Sequence, residues 1–199
     1  MVESEPRESN DAALVRRLRA GDRGAFDEIY ACFRVRIYAF LLRLCGRRDV
    51  ADDLFQETWT KLAMNADRLR DDSDLAAWLF TVARNAYRSH RRWTMLDLGR
   101  LMGGDDALST VATDAPTPHA RAEDAQRLAT LERALSKLST ASREALLLVA
   151  VEGFEQEQAA AIVGASYPAF RQRLARARAE LAEAMTKHER DERRGGPTK

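Results

Sequence analysis

Residues 74–93, DLAAWLFTVARNAYRSHRRW, constrain the chain more than any other stretch. At about 100° per residue, Leu75, Trp78, Leu79, Val82, Ala86 and Trp93 share one stripe, which predicts a buried face. Arg84, Arg88, Arg91 and Arg92 fall on the opposite stripe with no acid between them. Ser73 or Asp74 stands where an N-cap belongs. A single helix is therefore expected to bury an aromatic–aliphatic face and turn a cationic rail to solvent. Such a rail suits a regular row of phosphates. An isolated amphipathic helix with a solvated charged face would read the same way, so the rest of the chain decides.

The 199 residues suffice for one medium domain or two small ones, and 45% apolar content can supply their cores. The net charge of +1 hides segregated blocks: an acidic one over residues 49–57 and arginine-rich ones over 84–92 and 171–178. Segregation points to more than one charged partner. Cys32 and Cys45 border one helical stripe, about 20 Å apart along the axis, too far for a disulfide. They read as reduced, half-buried thiols. His90, His119 and His188 have no metal-ligand spacing, so neither a metal nor a cofactor is expected. There is no signal-peptide pattern and no apolar run of spanning length, which predicts a soluble, cytoplasmic protein without membrane insertion. No nucleophile elbow, glycine-rich phosphate loop or His/Cys cluster occurs, so the chain is not expected to be an enzyme.

Hydrophobic periodicity predicts an all-α protein of two small helical domains joined by a flexible linker. Residues 1–9 are polar and expected to fray. The first domain, residues 10–93, is a four-helix bundle. Asn10 or Asp11 caps a short helix stopped at Gly21, and Asp22 caps a long one carrying Phe26, Ile29, Tyr30, Phe33, Ile37, Phe40, Leu41 and Leu44, ended by Gly46. Asp49 opens a third helix with Val50, Leu54, Thr58 and Leu62 inward. A polar break over residues 65–73 precedes the arginine-rail helix. Residues 94–121 form an acidic, Pro/Gly-containing linker with at most a turn near 96–102. The second domain, residues 122–187, holds four helices: one with Leu128, Leu131, Ala134, Leu135 and Leu138, an apolar one over 143–151 broken by Gly153, one over 155–163 stopped at Gly164, and one capped by Ser166 with Pro168 in its first turn. A disordered tail is expected from 188 to 199.

The last helix buries Phe170, Leu174, Ala177 and Leu181, which leaves Tyr167, Ala169, Gln172, Ala175 and Arg176 outward, flanked by Arg171, Arg173 and Arg178. Helix, short glycine turn and capped basic helix is the layout of a helix-turn-helix. Arginine and glutamine suit bidentate contact with guanine and adenine edges, and flanking arginines suit phosphates. The third helix shows the opposite surface, Asp52, Asp53, Gln56 and Glu57. Acids repel DNA, so a basic protein partner is the natural counterpart.

Three stretches resemble the sigma-70 family of bacterial RNA polymerase subunits, in its extracytoplasmic-function (ECF) group. They are DRGAFDEIYACFRVRIYAFLLRLCG (22–46), DVADDLFQETWTKL (49–62) followed by AWLFTVARNAYRSHRR (77–92), and LSTASREALLLVAVEGFEQEQAAAIVGASYPAFRQRLARARAEL (138–181). They cover nearly all of both domains in the family's order. The resemblance implies that Asp52, Asp53, Gln56 and Glu57 dock on the β′ clamp helices of core RNA polymerase. It implies a −10 reader made of Asn65, Arg68, Arg84, Asn85, Arg88, Arg91 and Arg92, which captures an unstacked base and holds the melted strand. It implies a −35 reader made of Tyr167, Arg171, Gln172, Arg173 and Arg176, next to a contact with the β flap. Promoter DNA and an anti-sigma factor complete the implied partners. A stand-alone helix-turn-helix regulator would explain only the second domain, and a helical adaptor would leave two acid-free arginine faces without a use.

Overall fold

The computed structural model describes the backbone of residues 5–101 and 120–194 and the side chains of residues 11–96 and 129–187. Contacts divide the chain into two units. The first holds α1 (Glu5–Arg19), α2 (Arg23–Cys45), α3 (Arg48–Met64) and α4 (Leu75–Leu101); the second holds α5 (Ala120–Lys137), α6 (Thr140–Leu146), α7 (Gln156–Val163) and α8 (Tyr167–Arg194). No strand occurs among the described residues. None of the described helices is long and apolar enough to cross a membrane.

In the first unit α2 packs against α1, α3 and α4. Its start and end follow local chemistry. The Gly24 amide donates to Asp22 Oδ1 at 2.8 Å, and Gly46 closes the helix at φ 69°, its N–H reaching the Leu42 carbonyl at 2.8 Å. The core joins Ile29, Ile37, Phe40, Leu41 and Leu44 of α2 to Val50, Leu54 and Leu62 of α3 and to Leu75, Leu79, Phe80 and Ala83 of α4. Each large side chain so buried contributes about 1.5–3 kcal/mol relative to exposure. Phe40 and Phe80 meet edge to face at 5.1 Å, tying α2 to α4.

The second unit is built around α8, which packs against α5, α6 and α7. Ser139 caps α6 by accepting the Ser142 amide at 3.1 Å. The apolar run then widens into a π-helical turn, Leu147–Val151, in which the Glu152 N–H returns to the Leu147 carbonyl at 2.9 Å. Gly153 ends it. Gly164, at φ 63°, closes α7 and turns the chain into α8. Arg143 lies wholly inside this unit and donates to the carbonyls of Leu135 (2.9 Å), Ser136 (2.7 Å) and Leu138 (3.2 Å), groups left without helical partners where α5 ends.

Several expected boundaries move. α1 begins at Glu5, so Asn10 and Asp11 lie inside the helix rather than at its start, and residues 5–9 are helical. α4 continues through residues 94–101, which were expected to start the linker. Met95, Leu96 and Arg100 are good helix formers, and the single Gly99 costs only about 1 kcal/mol. α8 continues to Arg194, past the expected start of the tail. The remainder of the expected linker, 102–119, and the end of the tail lie outside the described residues, as does the side chain of Leu128. Cys32 is exposed rather than half-buried. Cys45 is half-buried, its Sγ donating to the Arg47 carbonyl at 3.1 Å while burial pushes its thiol pKa up.

Candidate polymerase and nucleic-acid interfaces

The acidic face on α3 stands on Val50, Leu54, Thr58 and Leu62, which are buried as their spacing predicts. Asp53 and Gln56 project into solvent. Asp52 accepts the Tyr38 hydroxyl of α2 at 2.8 Å, which holds the phenol protonated above its usual range, and Glu57 pairs with Lys61 one turn on at 2.6 Å. Beneath this face lies an aromatic network that sequence reasoning missed. Tyr30 meets Trp59 at 4.8 Å, Tyr38 meets Phe55 at 5.5 Å, and Phe55 meets Trp59 at 5.9 Å. The i, i+4 pairs Phe26/Tyr30 and Phe55/Trp59 were the available signal, since rings so spaced share a helix face. The network fixes α3 on α2 and lines a shallow apolar groove bordered by Phe26, Trp59 and Met64 beside Gln56.

Residues 65–73 form a braced loop. A short 3-10 turn, Ala66–Arg68, leaves Arg68 exposed, while Asn65 Nδ2 donates back to the Lys61 carbonyl at 2.8 Å. Leu69 is buried and anchors the loop. Asp71 receives Arg19 of α1 at 2.6 Å and Arg16 at 3.7 Å, so α1 grips the loop from outside. The Ala77 amide donates to Asp74 Oδ1 at 2.8 Å, which makes Asp74 the cap of α4.

The rail on α4 differs from the expected one. Asn85, Arg88 and Arg92 are exposed at i, i+3 and i+7 and share an outer face; Arg91 is half-buried. Arg84 does not join them: it is 6% exposed and engaged within the protein. The buried stripe is Leu75, Leu79, Phe80, Ala83, Ala86 and Tyr87, rotated from the expected one because Phe80 turns toward Phe40. Trp78 and Val82 are only half-buried, and Trp93 is 65% exposed. Arg84 shares the side of the helix that this rotation draws inward.

On α8 the pattern holds. Phe170, Leu174 and Ala177 are buried and Leu181 half-buried, while Tyr167, Ala169, Arg171, Gln172, Ala175 and Arg176 are exposed and Arg173 is half-buried. The Arg171 guanidinium lies over the Tyr167 ring at 5.7 Å, a contact that restrains both side chains before any ligand arrives.

Residues 29–94 match the family described as Sigma-70 region 2, and residues 128–181 match Sigma-70, region 4. The chain is 38% identical over 144 residues to the ECF RNA polymerase sigma factor EcfG of Rhodopseudomonas palustris, covering 72% of this chain and 76% of that one. The chain belongs to the sigma-70 family, in its ECF group. It is also 32% identical to the RNA polymerase sigma factor CnrH of Cupriavidus metallidurans over 180 residues, 88% of this chain and 94% of that one. Among solved structures, the sigma factor RpoE in complex with the anti-sigma factor NepR from Bartonella quintana is similar at 30% identity with a TM-score of 0.69, over 81% of this chain and 96% of that chain. CnrH in complex with the cytosolic domain of CnrY is similar at 27% identity with a TM-score of 0.63, over 89% and 97%. Sigma factors are initiation factors without catalytic chemistry of their own, and this sigma factor binds core RNA polymerase and promoter DNA.

Proposed function

We propose that this sigma factor seats α3 on the β′ clamp helices through Asp53 and Gln56, with Asp52 and Glu57 at the edges of the contact. The exposed pair is free to meet basic partners, whereas Asp52 and Glu57 already hold Tyr38 and Lys61. The loop carrying Asn65 and Arg68, with Asn85, Arg88 and Arg92 on α4, reads the −10 element and holds the displaced strand. Arg91 supports that face from its edge, and Arg84 stiffens the helix from inside. Unpairing a base costs a few kcal/mol, which phosphate contacts and a polar pocket can offset. On α8, Gln172 and Arg176 read −35 base edges, while Tyr167, Arg171 and Arg173 set the helix in the major groove. The second unit also meets the β flap.

The reading assigns polymerase docking and −10 recognition to residues 10–93 and −35 recognition to residues 122–187. It gives the protein no reaction of its own and a cytoplasmic place of work beside the polymerase. Both solved relatives above are complexes with a further chain, NepR in one and the cytosolic domain of CnrY in the other. An anti-sigma partner of that kind belongs to this reading.

The observation that carries it is the division of charge within the first unit: acid on the outer face of α3, arginine on the outer face of α4. A regulator that bound DNA alone would have no use for the former. The deciding experiment titrates the full chain against bacterial core polymerase without DNA. A stoichiometric complex is expected, and Asp53→Lys with Glu57→Lys should abolish it while leaving the helical circular dichroism intact. Unchanged affinity in that variant would refute the docking face.

A further inference from the structure

The loop over residues 65–74 carries four acids, Asp67, Asp71, Asp72 and Asp74, against two arginines, Arg68 and Arg70. That is the wrong sign for a segment that lies against phosphates. Part of the excess is answered locally. Arg70 pairs with Asp72 at 2.8 Å, and Asp74 Oδ1 accepts the Ala77 amide as the cap of α4. Asp71 is answered from a distance: among the described residues its partners stand on α1, with Arg19 52 positions away in the chain. Arg19 and Arg16 meet one carboxylate oxygen each, at 2.6 and 3.7 Å. Leu14, Val15 and Leu18 are buried and seat α1 against α2 and the 3-10 turn of the loop. Arg16 and Arg19, three residues apart, share the flank that meets Asp71, while Arg17 turns to Asp22 and Glu28 instead.

The helix dipole alone would favour arginines in the last turn of α1. It gives no reason for two of them to converge on one carboxylate of a distant loop. Both ion pairs are about half exposed, so they add little to the stability of the fold. Their effect falls on the field at the loop. With Arg16 and Arg19 present, four acids meet four arginines and the segment is neutral; without them it carries two excess negative charges. We infer that α1 is the charge-compensating element of the −10 reader: Arg16 and Arg19 cancel Asp71, so that the loop can present Asn65 and Arg68 to the displaced strand. This rests on the −10 reading of the loop and gives a task to a helix to which that reading assigns no contact. Arg16 and Arg19 are positioning residues, acting through Asp71 rather than by touching the strand.

The test uses holoenzyme assembled from the full chain and core polymerase, with core polymerase alone as background. The probe is a fluorescent random-sequence single strand. Arg16→Gln with Arg19→Gln should lower affinity about 5-fold at low salt, a loss that shrinks as salt rises. Asp71→Asn alone should bind at least as tightly as wild type. Added to the double variant, Asp71→Asn should restore affinity to within about 2-fold of wild type, because the charge to be cancelled is gone. Helical circular dichroism and core polymerase binding without DNA should be unchanged in all three. A triple variant that stays weak would mean that the arginines touch the strand or shape the fold, and would overturn the inference. Weakening by Asp71→Asn alone would do the same, since the pairing rather than the cancelled charge would then matter. If the double variant binds normally while Arg88→Ala and Arg92→Ala lose affinity, the −10 reading stands and charge compensation is wrong. If those two also bind normally, the −10 reading fails and takes the inference with it.

Discussion

Arg143 keeps its guanidinium among the carbonyls of Leu135, Ser136 and Leu138, so its charge is solvated by the end of α5 rather than by water. Truncating it would take a charged donor from the Ser136 and Leu138 carbonyls, while Leu135 would keep only the Leu138 amide at 3.1 Å. Arg143→Ala should therefore lower the stability of the second unit by about 3 kcal/mol, measured by urea denaturation. Arg143→Lys should recover little, because an ammonium cannot reach three carbonyls in a planar fork. Arg176 is the reverse case, an exposed arginine to which the proposed function gives a −35 base contact. Arg176→Ala should cost about 1–3 kcal/mol of promoter affinity, concentrated at particular −35 base pairs, as read by binding to a panel of single-base variants. A uniform loss across the panel would make it a phosphate contact. Arg84 and Arg176 look alike in the sequence, each in an arginine-rich stretch without an acid, residues 75–96 and 167–179. The difference lies in the neighbours that other helices supply: α4 packs on α2 and α3, and Arg84 is on the side of it that is buried.

Helix ends marked by a side-chain cap or a glycine stop were legible, because those are settled within a few residues, whereas the start of α1 and the far ends of α4 and α8 were not. Asp22, Gly46, Asp74, Gly153 and Gly164 all act where the sequence puts them. What periodicity could not give was the phase of α4 against its neighbours or the point where the neighbours cease, and so Trp93 stands exposed where a core position was expected, while Phe80, which the expected stripe left out, is buried. The aromatic network under α3 was hidden for the same reason, since Tyr38 and Phe55 meet only once two helices pack. The cap of α2 carries a pH signature. The Arg17 hydrogen bond, helped by the Gly24 amide, holds the Asp22 carboxyl below the ordinary carboxylate range. A depressed folded pKa contributes stability that is complete above the unfolded value and is lost as pH falls through the folded one. Asp22→Ala should thus melt below wild type at neutral pH, with the gap closing below about pH 4 in thermal scans.

Each unit has its own core, and the molecule should unfold accordingly. Denaturation followed by circular dichroism is expected to show two transitions rather than one, and Arg143→Ala should shift only the one belonging to the second unit. A single transition displaced as a whole by that variant would mean that the two units share stability. The same division bears on how promoters are selected. Two readers on one chain make binding bivalent: once one element is held, the other meets its reader within the same complex, not at the concentration of protein in the cell. Each reader can then be individually weak, exchanging quickly on stray half-sites, while a site with both elements at the right separation is held up to about 10²–10⁴ times more tightly than either alone. Promoter spacing thereby becomes a third recognised feature, although no side chain touches it.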